Sequence, residues 1–279
     1  MLAASHAPRF KPWAPVPVQP DGRKLAYMFY ATDDLQACHA LMAGTKIRAL
    51  GTPSFIEIVA LVTEDVSAQA RQVLMDGGVR PLSVAAWRRT TGGQEYIVSL
   101  TKLRIFQELG YDRVIYMDSD VIVVKNLDEL FNLPHAVFWA PRAYWLEDKQ
   151  PHITSVLLVV DPNNELFQHL EYAIENEAQV LFDMDVLNEV WRHVAGILPS
   201  EFMVLTANLK ENVDRYLFGY KSLDDRVNHT YMYHFSGGHS KPWFMDSDTI
   251  ERQPDVIPLY YDLYLEYWTQ RRALCSFLR

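Results

Sequence analysis

The chain has 279 residues, with 26 Lys and Arg against 35 Asp and Glu and a net charge of -9 at pH 7. That acidic balance excludes a broad, non-specific grip on nucleic acid phosphates. Hydrophobic residues make up 49% and charged residues 22%, an ordinary globular composition whose length allows one large domain or two small ones.

Cys38 and Cys275 are too few and too far apart in sequence to suggest a disulfide framework or a thiolate metal site, which points to a reducing compartment and a cytoplasmic location. Met1 to Pro20 holds five of the 15 prolines and lacks the apolar core of a signal peptide. Residues 1–23 are therefore expected to form a Pro-rich arm. No stretch approaches the roughly 20 apolar residues needed to cross a bilayer, since even Val114 to Val124 is interrupted by Asp118 and Asp120. Asn228-His229-Thr230 is an Asn-glycosylation acceptor pattern that would matter only in a secretory setting.

From Lys24 the pattern is that of an α/β protein. The apolar run Leu25 to Tyr30 predicts a buried strand ending at Thr32-Asp33-Asp34, where either Asp can cap a helix running to Leu50 before Gly51-Thr52-Pro53 breaks it. A strand at Phe55 to Val62 follows, then a helix from Val66 to Met75 stopped by Gly77-Gly78, and a short strand at Val79 to Val84. Glu95 to Leu109 reads as a helix, with Ile97, Leu100, Leu103 and Phe106 recurring every three residues and Gly110 placed to end it. Val114 to Met117 is the next strand, Leu127 to Phe131 a turn of helix, and Val137 to Ala140 and Ile153 to Val160 further strands. Helices are expected at Asn164 to Asn176, at Asp185 to His193 and around Tyr260 to Trp268. Strands alternating with helices, and too apolar to face water, point to a mainly parallel sheet covered on both faces.

Asp-x-Asp occurs three times, at Asp118/Asp120, Asp183/Asp185 and Asp246/Asp248, so the tripeptide alone proves little. The first copy directly follows the strand Val114 to Met117, where a parallel sheet delivers side chains to the crevice at its carboxyl edge. Two carboxylates fixed there repel each other unless a cation or hydrogen-bond donors intervene, and a hard divalent ion suits them. His234-Phe-Ser-Gly-Gly-His-Ser-Lys-Pro-Trp243 adds an imidazole suited to Mn²⁺, Gly237 and Gly238 that allow close backbone approach to a phosphate, and Lys241 as a point cation.

Taken together, Asp118-Ser119-Asp120 and His234 to Trp243 resemble glycosyltransferase family 8, the group of glycogenin, galactinol synthase and bacterial lipooligosaccharide galactosyltransferases. The resemblance runs in order from about Leu25 to Trp243, through Thr101-Lys-Leu-Arg104, Tyr116 to Val121, Asn126 to Phe131 and Asp183-Met-Asp-Val-Leu-Asn188. It implies a single GT-A type nucleotide-sugar-binding domain over residues 24–279, with a mixed, mainly parallel sheet covered by helices. It also implies a metal-dependent retaining transferase that moves a hexose or N-acetylhexosamine from a UDP-sugar to a carbohydrate or other small hydroxyl acceptor, with a homodimer allowed.

On that resemblance Asp118, Asp120 and His234 hold Mn²⁺, or Mg²⁺ in its place. Tyr30, Ala31, Asp33, Lys102, Arg104, Ser119, Thr154, Ser155, Gly237, Gly238 and Lys241 face the donor, and Asp183 and Lys241 are catalytic. The sequence departs from the family pattern at three places. Thr32-Asp33-Asp34-Leu35-Gln36 lacks the usual Tyr, Ile153-Thr154-Ser155 replaces an Asn-containing segment, and Met184 stands where Gln is usual. Short hydroxyls at Thr154 and Ser155 leave room for a bulkier C2 substituent, which ranks UDP-GlcNAc and UDP-glucose ahead of UDP-galactose. Tyr144, Trp145 and Trp243 are candidates either to hold the acceptor or to form core. Two rival readings are a haloacid-dehalogenase-like phosphatase, whose nucleophile motif also fits an apolar strand followed by Asp-x-Asp-Val, and a catalytically inactive nucleotide-sugar or partner-binding domain.

Overall fold

The computed structural model describes residues 17–88, 98–146, 152–176, 182–210, 216–217, 219–238, 241–245 and 250–278. Most of the expected N-terminal arm and the Asp246/Asp248 pair therefore lie outside the described residues.

In chain order come β1 (Leu25–Ala31), α1 (Asp34–Ala49), β2 (Glu57–Val62), α2 (Ala68–Asp76), β3 (Arg80–Ser83), β4 (Arg113–Met117), β5 (Val121–Val123), β6 (Trp139–Pro141) and β7 (Leu157–Val160). They are followed by α3 (Asn164–Asn176), α4 (Asp183–Trp191), β8 (Gly196–Leu198), β9 (Val204–Leu205), α5 (Leu223–His229), β10 (Met232–His234) and α6 (Pro258–Leu274). The main sheet has the order β3-β2-β1-β4-β7-β6-β8. Its β3, β2, β1 and β4 run parallel, β7 runs antiparallel to β4 and β6, and β8 pairs parallel with β6. This is the mixed, mainly parallel sheet that the sequence predicts.

Strand side chains alternate between faces, and here both faces are buried. Tyr27 and Phe29 of β1 with Ile115 and Met117 of β4 pack into one apolar cluster, while Ala26 and Met28 with Val114 and Tyr116 pack into another. That two-sided burial is why these strands read as unbroken apolar runs. The α1 helix begins where Asp33 accepts a hydrogen bond from the Gln36 backbone N–H at 2.7 Å. It also lies close to the sheet, because a Cβ on Gly44 would stand 2.7 Å from Val79 Cγ2 and 3.0 Å from Ile58 Cγ2.

The segment expected as an α-helix from Glu95 to Leu109 differs. Residues 89–97 lie outside the described set, and Ser99–Phe106 forms a 3-10 helix. A three-residue repeat matches the three residues per turn of that helix better than the 3.6 of an α-helix, so Leu100, Leu103 and Phe106 all reach the same apolar cluster. At the other end of the chain, Cys38 of α1 and Cys275 just after α6 form a disulfide, with Cα atoms 5.7 Å apart. The expectation of two unpaired cysteines is thereby corrected, and the inference to a reducing compartment loses its premise. No helix among the described residues is long and apolar enough to cross a membrane.

A second, smaller sheet has the order β5-β10-β9. It matters for the site because Asp118-Ser119-Asp120 is the link from β4 in the main sheet to β5 in the small one.

Candidate active site

The antiparallel register pairs His234 with Val121 and Tyr233 with Ile122, and the Phe235 N–H donates to the Asp120 carbonyl at 3.0 Å. This pairing brings residues more than a hundred positions apart to the same sheet edge. His234 Nε2 stands 3.2 Å from Asp120 Oδ1, and one ligand atom from each of Asp118, Asp120 and His234 lies within 4.8 Å of the others. Two carboxylate oxygens and an imidazole nitrogen suit a divalent ion of the Mn²⁺ type. The imidazole nitrogen that faces Asp120 is Nε2, while His234 Nδ1 is buried without a hydrogen-bond partner.

Two lysines flank the trio. Lys241 Nζ is 2.7 Å from Asp120 Oδ2 and 5.1 Å from the centre of the Trp243 ring. Lys241 is brought back by the turn before it, where Gly237 and Gly238 adopt φ of 95° and 55°, a conformation that disfavours side chains. The Lys241 N–H donates to the Gly238 carbonyl at 3.2 Å.

On the other flank Lys102, 4% exposed, places Nζ 2.8 Å from Asp118 Oδ1 and 2.9 Å from Asp183 Oδ2. The same ammonium lies over the rings of Tyr30 and Tyr116, at 5.6 and 5.9 Å. Tyr116 also donates its hydroxyl to Asp118, and the Ser155 hydroxyl donates to Asp183 Oδ2 at 2.5 Å.

Electrostatics separate the carboxylates. Burial opposes ionisation at Asp120, but His234 and Lys241 outweigh it and hold the carboxyl well below its usual range. At Asp118 burial wins, aided by the nearby Asp120 charge and only partly offset by Lys102, so its value is raised. Asp183 is lowered, because Lys102 and the Ser155 hydroxyl overcome its burial. Lys102 itself is raised well above the ordinary ammonium value, since Asp118 and Asp183 overcome the desolvation that would lower it.

The remaining expected residues fall into place unevenly. Thr154 and Ser155 are buried beside the cluster, with the Asp118 N–H donating to the Val156 carbonyl at 2.9 Å. Thr154 Oγ1 accepts from the Val156 N–H at 3.2 Å. Ser119 is buried between the two aspartates, and Ala31 closes β1 in the core. Asp33 is spent in part on capping α1. Arg104 turns elsewhere, donating from Nε to the Ala85 carbonyl at 2.7 Å and lying 5.7 Å from the Trp87 ring. Tyr144 is a brace, its hydroxyl donating to Asn208 Oδ1 at 2.8 Å and accepting from the Leu205 N–H at 2.9 Å.

Asp183 does not cap α4. That bond is made by Asp185, whose Oδ2 accepts from the Phe182 N–H at 3.0 Å, and this leaves the Asp183 carboxylate to the cluster. Asn188 is a supporting residue that the sequence reading did not single out. Its amide donates to the Ile153 and Met184 carbonyls at 2.8 and 2.7 Å, and its Oδ1 accepts from the Ile153 N–H at 2.8 Å, clamping the Thr154–Ser155 segment onto α4. Asn188 lies five residues after the start of α4 and closes the Asp183-to-Asn188 motif, but its helical spacing alone carries no signal of this clamp.

Comparison with known proteins agrees with this geometry. Residues 110–197 match the family described as "Mannosyltransferase putative". The chain is 29% identical over 258 residues to glucose N-acetyltransferase 1 of Aspergillus fumigatus, covering 82% of this chain and 67% of that protein. It is 24% identical over 272 residues to galactinol synthase 5 of Arabidopsis thaliana, covering 84% and 78%. The chain spans 57% of the Gibberella zeae glucose N-acetyltransferase 1 and 46% of the Kluyveromyces lactis glucose N-acetyltransferase 1-B, so it corresponds to only part of those proteins. In three dimensions it superposes on the galactosyltransferase LgtC, as the Q189E active-site mutant, with a TM-score of 0.65 at 17% identity over 90% of this chain and 97% of that one. The GT-A fold is thereby established. The sheet order and these likenesses favour neither the phosphatase nor the inactive-domain reading.

Proposed function

We propose, on the premise that this chain is a glycosyltransferase homologous to fungal glucose N-acetyltransferase 1 and the plant galactinol synthases, that it transfers a hexose or N-acetylhexosamine from a UDP-sugar to a hydroxyl acceptor with retention at the anomeric carbon. The observation that carries the reading is the convergence of Asp118, Asp120 and His234 at one sheet edge, with Lys241 2.7 Å from Asp120 and Lys102 tying Asp118 to Asp183. Asp118, Asp120 and His234 would hold a divalent cation, Mn²⁺ in preference to Mg²⁺ because an imidazole is a ligand. Such an ion supplies a Lewis acid for diphosphate oxygens.

The chain's own residues do the rest. Lys241 neutralises negative charge that builds on the departing UDP, a contribution that grows toward the transition state and so appears in turnover. Gly237 and Gly238 let backbone approach the same phosphates. Asp183, held by Lys102 and Ser155, presents fixed negative charge beside the sugar where positive charge develops at the anomeric carbon. The Cys38–Cys275 disulfide favours an oxidising compartment as the place of work.

Calorimetric titration of UDP with and without Mn²⁺ tests the reading. The wild-type chain should bind UDP in a metal-dependent way, and Asp120→Ala should lose that binding with its circular dichroism unchanged. Equal binding by the variant would overturn the assignment.

A further inference from the structure

We propose that Asn228 is a site of N-linked glycosylation, independently of the transferase reading. Two observations that the catalytic cluster does not use point to it. The first is the disulfide between Cys38 and Cys275, a bond that forms and persists in the oxidising compartments where chains also meet the asparagine-glycosylating machinery. The second is the acceptor pattern Asn228-His229-Thr230, whose Asn is exposed near the end of α5. Asn228 also borders a cavity of about 240 Å³ lined by Val124, Lys125, Leu259, Asp262 and Leu263. This cavity is separate from the carboxylate cluster.

The rest of the tripeptide fixes when the modification must occur. Thr230 is fully buried, its Oγ1 donating to the Arg226 carbonyl at 2.9 Å. Arg226 is 1% exposed and donates from Nε and Nη2 to the Tyr216 and Ser200 carbonyls at 2.9 and 3.1 Å. An enzyme that reads the Thr hydroxyl can reach it only before this network closes, so the sugar is added to the unfolded chain. In that step the Asn228 amide nitrogen forms a bond to C1 of the first N-acetylglucosamine of a lipid-pyrophosphate-linked oligosaccharide. The C1–oxygen bond to pyrophosphate breaks, the lipid pyrophosphate leaves with the bonding pair, and the amide gives up one proton. The glycan then projects from the α5 end of the molecule.

The test uses the full chain, tagged at its C-terminus and isolated from its own cells. The expected result is a species heavier than its sequence that collapses to the sequence mass on peptide N-glycosidase digestion, with Asn228 converted to Asp in the peptide map. Cys38 and Cys275 should resist alkylation until reductant is added. Asn228→Gln should abolish the mass shift while keeping UDP binding, and Thr230→Ser, which preserves both the acceptor pattern and the buried hydroxyl, should retain the shift. An oxidised Cys38–Cys275 pair with an unmodified Asn228 peptide would overturn the proposal, as would two cysteines that alkylate freely.

Discussion

Lys102 binds Asp118 and Asp183 at once, with Nζ 2.8 and 2.9 Å from their carboxylate oxygens. The three side chains are nearly out of water, so they act as one unit in which a single cation offsets two buried anions. Removing one partner of a buried ion pair leaves uncompensated charge and typically costs about 3–5 kcal/mol. Lys102→Met should therefore lower the unfolding free energy measured by urea denaturation by an amount in that range, seen as a lower midpoint at unchanged slope. Lys102→Met combined with Asp183→Asn should recover part of the loss, because one of the orphaned charges is gone. If the double variant is no more stable than the single one, the cluster is not coupled in this way.

Lys241 occupies the Asp120 oxygen that a cation would also approach, at 2.7 Å. Arrival of metal and diphosphate would then move the ammonium from Asp120 to the phosphates, and the same residue has opposite effects on two measurements. In Lys241→Met, Mn²⁺ alone should bind up to about tenfold more tightly, ~1.4 kcal/mol, because no ammonium has to be displaced. Transfer should slow by at least about tenfold, since the leaving UDP loses its counter-charge. Manganese affinity by electron paramagnetic resonance and turnover by released UDP would read both arms. A variant that weakens Mn²⁺ and leaves turnover within about twofold would show Lys241 to be a surface residue after a turn.

What could be read from sequence followed the physics of each element. The strands β1 and β4 were legible because both faces are buried and the apolar runs are uninterrupted. Asp33 and Asp34 were equally legible as caps, of which Asp33 takes the bond, and Asp118 and Asp120 were legible as a strand-end pair. The small sheet was not, because β5, β9 and β10 have three, two and three residues, too short to show a period. Asp183 carried an ambiguity that local sequence cannot resolve, since Asp185 fits the first turn of α4 equally well and takes the capping bond. The Cys38–Cys275 bond spans 237 positions and depends on the docking of α6 against α1, a tertiary fact invisible to spacing arguments.

That docking also buries His39. Its Nε2 is 3.0 Å from the Tyr267 hydroxyl and its ring centre 4.7 Å from that of Trp243, which lies beneath Lys241. Burial pushes the imidazole down from 6.5 to about 4, with the Asp120 charge opposing and Arg271 and Lys241 adding to the depression. A histidine depressed on folding keeps its full contribution above the unfolded value and loses it as the pH falls through the window down to the folded one. Stability should thus decline between pH 6.5 and about 4, by roughly 2–4 kcal/mol from this group. His39→Gln, which can still reach Tyr267, should flatten the melting temperature over that window relative to wild type. A variant curve parallel to the wild-type one would place the acid sensitivity elsewhere.

Donor choice is the most exposed expectation, because Thr154 and Ser155 are already engaged within the chain. The Ser155 hydroxyl donates a hydrogen bond to Asp183 Oδ2 at 2.5 Å, and Thr154 Oγ1 accepts from the Val156 N–H at 3.2 Å. Neither hydroxyl reaches as far as an amide would, so a donor sugar bound here would have room at C2 and fewer fixed partners. Room at C2 should favour UDP-GlcNAc at saturating Mn²⁺, whereas glucose and galactose share their C2 hydroxyl and differ at C4, so the order of those two reads a separate contact. Thr154→Val keeps the side-chain shape but removes the hydroxyl, and it should shift all three donors by similar factors if Thr154 acts through the backbone turn alone. A change confined to one donor would instead assign the hydroxyl to a specific sugar contact. Titration calorimetry with each donor decides the ranking. UDP-galactose bound tenfold more tightly than both others, about 1.4 kcal/mol, would show that the short side chains at Thr154 and Ser155 do not set the preference.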